Sequence, residues 1–232
     1  MVFLGGILLT AHWYSFFAAI QASNVSVTLA TLSSGAFFTA LIEPLFFKRR
    51  INLMEMFFAL LVIIGLSIIF TVGWEFRKGI GLALISALLA ALFTVINGKS
   101  IQRTEASLIS FYQLGTGFVL LSIFLTTRNG IEGSTFAIPT GTDTLLLLIL
   151  GTVCTAYAFT VGIEVMKHLS PYTVSLANNL EPVYGILLAV LFFGSSEFMG
   201  ARFYLGGAIL LIAIFGESVL RSRQVNRKKK SI

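Results

Sequence analysis

Nearly the whole chain is written as apolar runs of about 20 residues. Short polar connections set the runs apart, among them "KRRIN" (48–52), "GKSIQRTE" (98–105) and "GSSEFMG" (194–200). At 1.5 Å per residue, about 20 residues reach across a ~30 Å hydrocarbon core as a helix. Barrel strands would be about 10 residues long and would alternate in polarity. The runs predict eight transmembrane helices, near 2–21, 26–47, 53–72, 79–97, 106–126, 144–166, 171–194 and 201–220. The expected fold is all-α, a polytopic membrane helix bundle. Composition agrees: 11% of the 232 residues are charged, against about 25% in soluble domains.

Charge sets the expected orientation. With the C-terminal tail placed in the cytoplasm, the cytoplasmic loops hold Lys48, Arg49, Arg50, Lys99, Arg103 and Lys167. The tail adds Arg221, Arg223, Arg227, Lys228, Lys229 and Lys230, leaving Arg77, Lys78, Arg128 and Arg202 outside. This is a positive-inside bias. It places both termini in the cytoplasm and the long 127–143 connection outside. The formal charge of +6 is then a topology signal with anionic lipid as its partner, and nucleic acid is not called for. The first run lacks the basic flank and cleavage site of a signal peptide.

An offset of 146 residues lays 26–47 and 53–72 over 171–194 and 201–220 without a gap. It also puts Leu45-Phe46-Phe47 over Leu191-Phe192-Phe193, and Ser23-Asn24 over Leu169-Ser170. Because "KRRIN" is expected inside and "GSSEFMG" outside, the two copies are inverted, as in many transporters. Two Glu-Pro pairs, Glu43-Pro44 and Glu181-Pro182, are 138 residues apart, so they are not equivalent positions.

The polar residues inside the runs are the candidate site. "NNLEPVYG" (178–185) interrupts a run that is otherwise apolar. A charged carboxylate near a helix centre costs roughly 2.5–3.5 kcal/mol on insertion scales. Asn178, Glu181, Tyr184 and Gly185 share one helix face. Pro182 has no N–H for the Asn178 carbonyl and marks a helix break. The group reads either as a cavity or coupling site, or as a hydrogen-bonded joint between helices. Asn179 points elsewhere and suits an interhelical bond. His12 could carry a proton, and Trp13 at mid-depth suits a cavity wall; packing is the plainer role for each. Thr28, Thr31 and Ser34 form a stripe with Gly35, read as a polar wall or as hydroxyls bonded to their own helix. Gly79, Ala83, Ala87, Ala90, Thr94 and Asn97 read as a close-packing face. Tyr157 is deep enough for a pocket, Glu164 suits an ion pair with Lys167, and Glu43 reads as interfacial beside Lys48 and Arg49. Two His and one Cys, Cys154, give no metal-ligand cluster, and no catalytic or nucleotide-binding motif is present.

Three segments carry a family resemblance: "AHWYSFFAAIQASNVSVTLATLSSGAFFTALIEPLFF" (11–47), "GTVCTAYAFTVGIEVMKHLSP" (151–171) and "SLANNLEPVYGILLAVLFFG" (175–194). In this order they resemble the EamA-type transporters of the drug/metabolite transporter superfamily, over essentially the whole chain. The resemblance implies ten helices in two inverted five-helix repeats with a cavity between them. The first run here is similar to the family's third helix. Residues 1–72 then form three helices of a first repeat and 77–220 a complete second one, with 221–232 a basic cytoplasmic tail. The expected architecture is 3+5 of a 5+5, either a fragment lacking two helices or a shortened protein.

The function so implied is secondary transport of small organic solutes such as amino acids, metabolites or drugs, with export expected. It would run by alternating access in a bacterial inner membrane, without a cofactor and with a proton as a candidate coupling ion. The expected cavity wall is His12, Trp13, Thr28, Thr31, Tyr157, Asn178, Glu181 and Tyr184. A second reading, from another class, is a membrane scaffold or assembly partner. A third, a small membrane enzyme, has no residue constellation behind it.

Overall fold

The structure, a computed structural model, describes residues 1–50, 52–70, 76–129, 139–178, 180–194 and 200–230. Among these residues every regular element is helical. Five helical segments are long and apolar enough to cross a membrane: Val2–Ala22, Val25–Phe47, Arg77–Ser100, Ala106–Thr127 and Gly141–Lys167. They coincide with five of the expected spans. The other three appear as shorter apolar helices at Leu53–Val62, Tyr184–Phe193 and Ala201–Ala213. The chain is an integral, multi-pass membrane protein.

Small residues decide which helices come close. Helix α1 (Val2–Ala22) lies along α5 (Arg77–Ser100) and also packs on α6 (Ala106–Asn129). The α5 face that meets its neighbours carries buried Gly79, Ala83 and Ala87. A Cβ on Gly79 would run into Ser23, and one on Gly6 into Thr116 of α6. Such faces let backbones approach where lipid offers no hydrophobic drive for helix association. Helix α4 (Leu53–Phe70) packs against α11 (Ala201–Lys230). There Phe58, Val62, Phe203, Leu210 and Ala213 bury together with Val27, Ala30 and Ile80. Helix α11 continues through the basic segment to Lys230.

The run 26–47, expected as one span, is two helices, α2 (Val25–Leu32) and α3 (Gly35–Phe47). The run 171–194 is likewise broken, into α9 (Pro171–Asn178) and α10 (Glu181–Phe193). Adding 146 to each bound of α2 and α3 gives the bounds of α9 and α10. The ends match as well. Asn24 caps α2 by accepting from the Val27 N–H at 2.8 Å, and Ser170 caps α9 by accepting from the Thr173 N–H at 3.2 Å. Positive φ ends both second halves, at Lys48 (50°) and Gly194 (62°). The backbone thus repeats where residue identities do not. Pro182 falls in the first turn of α10, where a missing N–H costs nothing. Its counterpart beside the other break is Ala36, so a break at this position does not require a proline.

The segment 141–167 is less regular. Helix α7 (Gly141–Ile149) runs into a π-helical stretch, Leu150–Tyr157, and then α8 (Ala158–Glu164). Most of its side chains are exposed.

Candidate functional site

The two broken helices meet crosswise. Helix α2 packs on α10, and α3 packs on α9. Where the four halves converge lies a cavity of about 110 Å³. Leu32, Ser33 and Gly35 line it from one break, Ser175, Asn178 and Glu181 from the other. Helix α1 contributes His12, and α5 contributes Ala90, Ala91, Phe93 and Thr94. Irregular backbone at membrane depth is tolerated where it borders protein or a watery cavity. Here the ends of four half-helices do so.

His12 is held in place. Its Nδ1 lies 2.8 Å from the Ser86 hydroxyl and 2.9 Å from the Ser86 carbonyl, and that hydroxyl also donates to the His12 carbonyl at 3.1 Å. Its ring lies 5.5 Å from that of Phe93. With Nδ1 engaged by Ser86, the imidazole is fixed in the cavity lining. Glu181, in the first turn of α10, lines the same cavity. A carboxylate, an imidazole, an amide and an aromatic face therefore border one small space.

Of the wall expected from sequence, the cavity gathers His12, Asn178 and Glu181. Trp13 is half-buried beside His12 but is not part of the lining. Thr28 and Thr31 are fully buried away from it: Thr28 pairs with the Ser23 hydroxyl at 3.2 Å, and Thr31 donates to the Val27 carbonyl at 2.8 Å. Tyr157 and Tyr184 are 67% and 63% exposed, outside the lining. Asn179 lies outside the described residues. The expected Glu164–Lys167 pair is present at 2.5 Å.

Glu43 pairs with Arg49, one of the two cations it was expected beside. It is buried, and its Oε1 takes the Arg49 Nε–H at 3.1 Å while its Oε2 accepts from the Tyr172 N–H at 2.7 Å. Arg49 also donates to Glu55 at 2.9 Å, and Glu55 is buried too. This cluster ties the end of α3 to the start of α4 and the start of α9. Next to it, Thr39 and Ser175 share a hydrogen bond of 2.9 Å between α3 and α9. Among the described residues no group of His, Cys, Asp or Glu could hold a metal ion.

Comparison with known proteins adds three findings. The model of the EamA-like transporter family matches residues 77–219. A protein of Bacillus subtilis (strain 168), described as "Uncharacterized transporter YxxF", is 22% identical over 194 residues. That match takes in 82% of this chain and 60% of the relative, so the chain spans less than two thirds of the curated relative's length. A solved crystal structure, described only as that of a protein, is similar with a TM-score of 0.68. It is 17% identical, with 97% of this chain and 77% of that one covered, and the likeness is one of fold.

Proposed function

The chain belongs to the EamA-like transporter family, and from that premise we propose that it serves secondary transport of small organic solutes by alternating access. The observation that carries this is the crossing of two helices broken at equivalent positions, with Glu181 and His12 on the cavity between them. Broken helices at a repeat interface are where secondary transporters hold their solutes. The two copies would be inverted repeats, 1–72 and 77–220, that rock against each other about the crossing, in a bundle of eight spans with both termini cytoplasmic. The site suits a solute with an amine or other donor for Glu181 and Asn178, and an apolar part for Phe93. Amino acids and related metabolites fit that description. Glu181 or His12 would take the coupling proton, and export across a bacterial inner membrane is the proposed direction.

The test uses proteoliposomes and a panel of radiolabelled amino acids and organic cations. For whichever probe the wild type moves, Glu181→Gln keeps the shape and removes the charge. Losing a charge-assisted hydrogen bond of roughly 1.5–3 kcal/mol lowers flux by about ten- to a hundredfold. Wild-type flux through that variant, with normal insertion, removes Glu181 from the site.

A further inference from the structure

Helices α5 and α6 are joined by the short connection 101–105 and both pack on α1, and the side chains that bridge them near that connection form a polar seam. The Gln113 amide donates to the Asn97 side-chain oxygen at 2.6 Å and bridges the two helices. One turn nearer the connection, Ser100 continues the α5 face that carries Asn97, and Ser110 the α6 face that carries Gln113. One turn further away, the α5 face reaches Thr94. Asn97 and Gln113 are 0% exposed, Ser110 3% and Ser100 7%. Four atoms here have no hydrogen-bond partner in the protein: Asn97 Nδ2, Gln113 Oε1, Ser100 Oγ and Ser110 Oγ.

The two ends of the seam are open. Thr94 lines the central cavity. Ser100 lines a second cavity, of about 260 Å³, together with Lys99, Arg103 and Thr104. Helix α1 covers the seam from the third side, where a Cβ on Gly5 would strike the Gln113 amide.

A buried polar atom left unpaired costs about 1–3 kcal/mol. Four in one seam therefore point to a ligand, and the chemistry selects it. The paired amides leave over the N–H groups of Asn97 Nδ2 and the carbonyl oxygen of Gln113. Flipping both restores the same remainder, and flipping one sets like groups together. A bare cation is disfavoured by those N–H groups and by Lys99 and Arg103 at the mouth, and an anion by the carbonyl. Water accepts from the first and donates to the second, and the serine hydroxyls complete its usual two to four bonds.

We propose that the α5–α6 seam binds water and joins the central cavity to the face that carries Lys99 and Arg103. The seam stands on its own residues; only the role of its inner end rests on the transport reading above.

Hydroxyl radicals made by X-rays from bound water report contact with water and not bulk exposure. The probe is the Ser110→Cys thiol in a Cys154→Ser background. Ile109→Cys, also buried but within an apolar cluster, is the dry control. Ser110→Cys is expected to oxidise about fivefold faster or more, given water at hydrogen-bonding distance. Adding Asn97→Leu and Gln113→Leu should bring it down to the control rate. Equal, slow oxidation of the two thiols overturns the proposal. So does fast oxidation that survives the double replacement. A thermal midpoint measured on each variant confirms that the thiols are compared in folded protein. None of these readings involves flux, so an inactive transporter leaves the result intact.

Discussion

Thr39 and Ser175 lie 2.9 Å apart where α3 meets α9. The positions 146 residues from them, Gly185 and Leu29, meet where α10 crosses α2, and a Cβ on Gly185 would strike the end of the Leu29 side chain. The same backbone contact is made twice, once with a hydrogen bond and once with a methyl group against a glycine. The contrast widens away from the cavity. On the α3–α9 side, Glu43 holds Arg49 and the Tyr172 N–H, and Arg49 holds Glu55. The sequence counterparts of these three side chains are Ala189, Ser195 and Ala201. Directional bonds come apart in a discrete step, whereas apolar contacts can slide. In the proposed transport cycle, α3–α9 is thus the pinned closure and α2–α10 the yielding one.

The largest expected effect falls on the pinned side. Arg49→Met takes the shared guanidinium from two buried carboxylates. Removing one partner of a buried ion pair costs roughly 3–5 kcal/mol. Unfolding of the detergent-solubilised protein should show a loss of that order. A loss below about 1 kcal/mol, as for a surface pair, would reduce the contrast between the crossings to their hydrogen bond alone.

The yielding side is tested at Gly185. Gly185→Ala presses a methyl group into Leu29, and overpacking of this kind costs about 1–3 kcal/mol. A glycine replaced within a helix returns about 0.5–1 kcal/mol. The two ranges leave a net loss of about 0–2.5 kcal/mol, small if the end of the Leu29 side chain moves aside, and Leu29→Ala added to Gly185→Ala should recover part of any loss. A Gly185→Ala variant more stable than the wild type would mean that close approach is not what holds this crossing.

What the sequence disclosed follows from what each signal measures. Apolar run length reports depth across a bilayer, and it located the five long helices and the shorter three. The 146-residue register rested on element lengths, and the caps at Asn24 and Ser170 and the ends at Lys48 and Gly194 fall on it. Helical spacing says which residues share a face, not what that face meets. Asn178, Glu181 and His12 border the cavity, while Thr31 turns its hydroxyl to its own helix. Glu43 was matched to its neighbour Arg49, but its burial depends on Tyr172, which is 129 residues away. Ser86, which holds His12 from 74 residues away, is a lone serine in a run of Leu and Ala. No pattern local to it carried that pairing. The break in α2–α3 was also hidden, because it uses no proline.

The smallest effect is the most specific. The Thr39 hydroxyl donates to the Gly35 carbonyl at 2.8 Å, so its one proton is committed. In the 2.9 Å contact Ser175 must then be the donor and Thr39 the acceptor. The two single variants are therefore unequal. Ser175→Ala removes a donor and leaves Thr39 bonded to Gly35. Thr39→Val removes the acceptor from Ser175 and the donor from Gly35 together, and should cost more. Ser175 lines the cavity, so its freed hydroxyl can turn to solvent there. The coupling in a double-mutant cycle is then expected near the ~0.6 kcal/mol typical of such bonds in membranes. A coupling indistinguishable from zero would mean that the charged cluster alone pins α3 to α9. A larger loss from Ser175→Ala than from Thr39→Val would reverse the assignment of donor and acceptor.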